Sequence, residues 1–162
     1  MSNEASIGIQ NEKAYPISEA DLIAAAEAVL KQHDAITSEL TIVVTDNEEV
    51  HALNKQYRQT DAPTDVLSFP AEPLPDGFSD DAPYIGDLVI AYPYASEQAQ
   101  RLGHPMRDTL MLLVAHGTLH LLGYDHDTAE NRKAMWAKQA DALTALGIEL
   151  AIVPSLEDDH HV

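Results

Sequence analysis

The chain has 162 residues, 45% apolar and 22% charged, with 27 acidic against nine basic side chains and no cysteine. That length suits one domain with its own core, and without thiols any disulfide or thiolate metal site is excluded, so a metal must be held by His, Asp or Glu. The formal charge of −18 opposes a long footprint on duplex nucleic acid unless basic groups are gathered locally, and it suits either solubility or attraction to a basic protein partner. No stretch reaches the ~20 apolar residues of a membrane span. The first segment, MSNEASIGIQNEK, lacks the basic-then-apolar pattern of a signal peptide, and a cytoplasmic protein is expected.

In chain order, Ile7 to Gln10 predicts a short strand. Ser18 with Asp21 three residues on predicts a capped helix, stapled by Ile17 against Leu22, with Leu22, Ala26, Val29 and Leu30 as its stripe. Leu40 to Thr45 is β-branched and reads as a strand. Asp46 with Glu49 opens a second helix with apolar positions Val50, Leu53 and Tyr57. Asp61 to Thr64 is a turn, Val66 to Phe69 a short strand stopping at Pro70, and residues 71–83 an irregular loop rich in proline and acid. Tyr84 to Ala91 returns as a strand, and Pro93 to Leu102 as a helix ended by Gly103. Pro105 suits a first helical turn, and Met106 to Leu122 is apolar almost all round, the mark of a buried helix. Gly123 ends it, and Asp127 with Glu130 predicts the cap of a last helix reaching Gly147. The pattern predicts an α+β fold, a small mixed sheet of about four strands around a buried metal-binding helix with further helices packed on it. Residues 1–162 are expected to form a single domain, with an acidic tail over 149–162 whose end is expected to fray.

The chemistry is concentrated at the end of the buried helix. His116 and His120 are four apart, so both imidazoles share one face. Gly123 can turn the chain back and bring His126 round as a third ligand. Three nitrogens with one position left open suit a catalytic zinc site, one ion per chain. The spacing is the skeleton of the metzincin protease motif, but Gly117 stands where those enzymes carry the glutamate base, which argues against peptide hydrolysis. His33, His51, His104, His160 and His161 show no such pattern.

The segment His116-Gly117-Thr118-Leu119-His120-Leu121-Leu122-Gly123-Tyr124-Asp125-His126 resembles the signature of the YbeY family of rRNA maturation factors with endoribonuclease activity. Tyr57-Arg58-Gln59-Thr60-Asp61-Ala62-Pro63-Thr64-Asp65-Val66-Leu67-Ser68-Phe69-Pro70 and Gly86-Asp87-Leu88-Val89-Ile90 extend the resemblance in the same order. It implies a zinc-dependent, single-strand-specific endoribonuclease of small-subunit rRNA maturation and ribosome quality control. Arg58 is then the candidate catalytic residue, because a guanidinium fork suits a phosphate; by residue type alone a solvated surface arginine fits equally, and its truncation at a helix end should cost little stability.

Asp65 is a candidate carboxylate beside the site or a turn residue, and Asp125 a candidate acceptor for a ligand imidazole or a turn cap. Ser68, Phe69 and Pro70 read as strand-edge structure and Tyr124 as packing. Lys55, Arg101 and Arg107 can line a short basic path, giving a few nucleotides of single-stranded rRNA access to the metal. Two rivals are a zinc hydrolase of another substrate and an assembly factor with a mainly structural zinc. A basic ribosomal protein or the small ribosomal subunit is the expected partner.

Overall fold

The computed structural model describes residues 6–33, 35, 38–71 and 84–152. Their order is β1 (Ser6–Gln10), α1 (Glu19–Gln32), β2 (Glu39–Thr45), α2 (Asn47–Arg58), β3 (Val66–Pro70), β4 (Tyr84–Ala91), α3 (Tyr92–Leu102), α4 (Met106–Leu121) and α5 (Ala129–Ala145). Helix starts follow the local capping chemistry. Ser18 Oγ accepts from the Asp21 amide and Asp46 Oδ1 from the Glu49 amide, each satisfying an otherwise free first-turn N–H. Two starts differ from expectation. The last helix is capped by Thr128, whose hydroxyl accepts from the Asn131 amide, while the Asp127 carboxylate is taken up by the Asn131 side chain. Pro105 is the cap residue of α4 rather than part of its first turn.

The sheet is mixed, with strand order β1-β2-β4-β3. The first three strands are parallel and β3 runs antiparallel to β4. One face carries Leu40, Ile42, Val44, Val66, Leu88 and Ile90, in one core with α1 and α4. The other carries Leu67, Val89 and Ala91 against Val50 of α2 and Tyr94 of α3. This two-faced burial accounts for the β-branched run of β2, whose residues alternate between the faces. Tyr57 departs from the predicted stripe of α2 and is 60% exposed. At that last turn Tyr57 makes an edge contact with Phe69 of the edge strand β3. Asn54 takes the buried position instead and donates to the Ala62 carbonyl.

Helix α4 is buried almost throughout, touching β3 and β4 on one side and α1, α3 and α5 on others. It therefore cannot shift without disturbing the whole core, which makes it a rigid mount for side chains at its C-terminal end. After α5, Ile148 and Ile152 are still packed into the core. The tail end expected to fray and most of the 71–83 loop lie outside the described residues.

Candidate active site

Helix α4 brings His116 and His120 onto one face, with ring centroids 4.7 Å apart. Leu122 caps the helix and Gly123 takes φ 102, a left-handed conformation that reverses the chain at little steric cost. The Tyr124 amide returns to the Leu119 carbonyl, and Asp125 Oδ1 accepts from the His126 amide. The turn so built places the His126 ring 5.1 Å from His120 and 5.5 Å from His116. One ligand atom from each of the three residues lies within 4.8 Å of the others, so the triad can hold a metal ion.

The hydrogen bond of His120 tests that fit. Its Nδ1 is 2.9 Å from the Tyr124 carbonyl oxygen, which can only accept. The Nδ1 therefore carries the proton, and in the neutral ring Nε2 keeps its lone pair. That Nε2 points at Nε2 of His116, 3.2 Å away. A lone pair aimed at a second ring nitrogen, with His126 closing the third side, is an arrangement a cation stabilises. Burial lowers the pKa of His120 below 6.5, and the nearby charge of His126 adds to it. The ring is thereby biased to the neutral form a metal needs.

Gly117 has a packing reason. A Cβ there would lie 2.7 Å from Leu88 Cδ2 and 3.2 Å from Ser68 Oγ, so any side chain would have to displace these buried groups. The position points at β3 and β4, and a glutamate there would meet the sheet.

A cavity of about 220 Å³ opens beside His120, lined also by Arg58, Ser68, Pro70, Gly123, Tyr124 and Asp125. Arg58, the last residue of α2, is half-buried rather than a solvated surface group. Its guanidinium donates to the Ser68 carbonyl and its Cζ lies 5.5 Å from the centre of the Phe69 ring. The two stretches of the sequence are thus joined at one cavity. Ser68 is buried and donates to the Gly117 carbonyl, tying the edge strand to the helix that carries His116 and His120. Asp65 is buried, accepts from the Val66 amide and the Thr64 hydroxyl, and does not line the cavity. Asp125 caps the turn and does line it. Tyr124 packs beneath the site, its hydroxyl 2.9 Å from His33 Nε2.

Of the expected basic path, Arg101 and Arg107 lie away from the cavity, while Lys55 stands one helical turn before Arg58 on α2. Arg107 sits in the first turn of α4, bonded to Asp21 and Asp108. Nine residues of helix, about 13 Å, separate it from His116. Arg101 ends α3, just before the same far end of α4, and Lys55 sits beside Asp61.

Two neighbours of the triad were not anticipated. Trp136 of α5 sets its ring edge to face against His116 and His126, centroids 5.7 Å away in each case, and Arg132 lies over it at 5.1 Å. Gln139, also of α5, is fully buried with Oε1 3.0 Å from His116 Nδ1. Its one sequence signal is a polar residue on the apolar stripe of Met135, Ala142 and Leu143.

The family model described as Endoribonuclease YbeY matches residues 7–147, a span that holds the triad, the cavity and Gln139. The chain belongs to the YbeY family. It is 40% identical over 139 residues to the YbeY endoribonuclease of Geobacillus thermodenitrificans, covering 80% of this chain and 89% of the relative. The YbeY endoribonuclease of Mycolicibacterium smegmatis is 38% identical over 144 residues, with 85% and 81% covered. The solution structure of a Thermotoga maritima protein aligns over 95% of this chain and 96% of its own with a TM-score of 0.59 and 27% identity. Among the described residues, no helix is long and apolar enough to cross a membrane.

Proposed function

We propose that this YbeY-family chain is a metal-dependent endoribonuclease that cuts single-stranded ribosomal RNA in small-subunit maturation and ribosome quality control. The ion is one zinc per chain, held by His116, His120 and His126, because an all-imidazole donor set with an open position suits zinc. The observation that carries the reading is that His120, one of the three converging histidines, and the oriented guanidinium of Arg58 line one cavity. The family's activity, endoribonuclease, supplies the reaction class.

When bound, the metal supplies a Lewis acid and acidifies an attacking water or hydroxyl toward neutral pH. The chain's own residues do the rest. Arg58 binds the scissile phosphate and offsets the negative charge that builds on it. Its bond to Ser68 and its seat on Phe69 hold the fork in place before substrate arrives, so less side-chain freedom is lost on binding. Asp125 is the one carboxylate among the described residues that line the cavity, and it is a candidate to take a proton from the attacking group. A cavity of this size admits a strand's phosphate and sugar rather than a duplex, which suits single-stranded substrate. The protein acts in the cytoplasm, where a basic ribosomal protein or the small subunit brings the acidic chain to its RNA.

The cavity beside His120 favours a catalytic over a structural zinc. Chelation tests both. Stripping the metal should abolish cleavage of a single-stranded RNA and leave the far-UV circular dichroism intact, with zinc restoring activity. Unfolding on chelation would make the site structural, and unchanged cleavage would remove the metal from the reaction.

A further inference from the structure

Gln139 stands out among the buried side chains near the triad. It is fully buried, and its Nε2 is enclosed with no hydrogen-bond partner. An enclosed amide donor without a partner is costly, and an apolar residue of the same length would avoid that cost. Its other atom, Oε1, meets His116 Nδ1 at 3.0 Å.

The amide has two possible settings with opposite consequences. With Oε1 toward the ring, Nδ1 must carry the proton and donate it, and the Nε2 lone pair faces the triad. Turned over, the amide would donate to Nδ1, force the proton onto Nε2 and aim a hydrogen at the point where the three rings converge. Only the first setting lets His116 bind a metal. His120 is held in the matching state by the Tyr124 main-chain carbonyl. The contact of 3.2 Å between the two Nε2 atoms is then a meeting of two lone pairs.

We propose that Gln139 is a positioning residue for the metal site: its Oε1 locks His116 with the proton on Nδ1 and presents the Nε2 lone pair to the ion. The inference rests on the metal reading of the triad and adds its orienting partner. Gln139 touches the ligand and not the substrate, so its effect is on metal affinity first. The neutral amide orients the ring without adding a charge to the core, whereas a carboxylate would orient it and also raise its basicity.

The test compares wild type with Gln139→Met, which keeps length and shape but loses the acceptor, and Gln139→Glu, which can only present an acceptor when ionised. Zinc affinity is measured by competition with a chromophoric chelator, and thermal stability is measured on the metal-free proteins. Nitrogen-15 spectra of metal-free protein at pH 8 report which nitrogen of His116 is protonated. Expected are zinc binding about 10–100-fold weaker in Gln139→Met, affinity at or above wild type in Gln139→Glu, and the Nδ1–H form of His116 in wild type. Wild-type affinity in a folded Gln139→Met protein would overturn the inference while leaving the metal site standing. So would an Nε2–H His116 in wild type, which decides the matter even if Gln139→Met does not fold. A wild-type chain that takes up no zinc overturns the metal reading and this role together.

Discussion

Replacing Arg58 by Ala separates its two roles, because the structure sets the size of each. The folded state loses a hydrogen bond from a charged donor to the Ser68 carbonyl and the contact over Phe69. For a half-exposed group these are worth about 1–1.5 and about 0.5 kcal/mol, so roughly 2 kcal/mol together. In a chain of this length that lowers Tm by about 4–8 °C. It exceeds the change of under ~0.5 kcal/mol expected of a surface residue, since Arg58 braces α2 against the edge strand. Even a domain with only ~5 kcal/mol to lose stays more than about 99% folded at 25 °C. The catalytic loss is of another order, because removing a group that offsets charge in the transition state costs about 10²–10³ in rate. The assay is cleavage of a short single-stranded RNA under saturating zinc at 25 °C, with Tm and zinc content measured on the same samples. Arg58→Lys should regain part of the rate, as it keeps the charge and loses the planar fork. A rate within a factor of about three of wild type, in folded zinc-loaded Arg58→Ala protein, would refute the phosphate-binding role.

The remaining predictions use the same site. Purified protein should carry about one zinc per chain, and alanine at His116, His120 or His126 should lower it; undiminished zinc in His120→Ala would remove the triad from the site. Trp136 is the one tryptophan in the sequence, so loading with nickel should quench its fluorescence, and no quenching on confirmed binding would place the ion elsewhere. Burial, and then the charge of His126, lowers the His120 pKa below 6.5, so on acidification the unfolded chain takes up this proton before the folded one. Metal-free protein should therefore lose stability as pH falls below about 6.5, gain nothing from this ring at higher pH, and show a shallower slope in His120→Gln; an identical slope in the variant would count against the burial argument. Gly117→Ala should cost about 1–3 kcal/mol through overpacking against Leu88, and Gly117→Glu should give no peptidase activity; a stable Gly117→Glu protein would show that the helix and sheet can part. Binding to small subunits or to isolated basic ribosomal proteins should weaken with salt and exceed binding to naked duplex RNA, and tight duplex binding unaffected by such proteins would mean the acidic surface has been misjudged.

Short-range chemistry made much of this protein legible before any coordinates. Caps at Ser18 and Asp46 depend on a side chain reaching an amide three residues on, and both form as expected. The cap at Thr128 shows the limit of such reasoning. Two competent residues stand side by side, and the choice turned on Asn131 engaging the carboxylate of Asp127. The pairing of His116 with His120 is likewise a property of helical pitch, and Gly123 announces the turn that brings His126 back. What the sequence by itself determined, then, was each element's type and the donor set at the end of α4, because those depend on neighbours within a few residues.

The order β1-β2-β4-β3 depends on which strands meet across long loops, and hydrophobic alternation is the same in any order. Arg58 and Ser68 are ten residues apart, yet only the packing of α2 on the edge strand turns the arginine into an oriented group at the cavity. The bases expected to join it, Arg101 and Arg107, stay at the other end of α4, since a helix holds its ends apart by its length. Gln139 is 23 residues from His116 on another helix. The tertiary structure alone decided its contact with the His116 ring, because the direction of a hydrogen bond between two helices depends on their docking and leaves no periodic trace in either sequence.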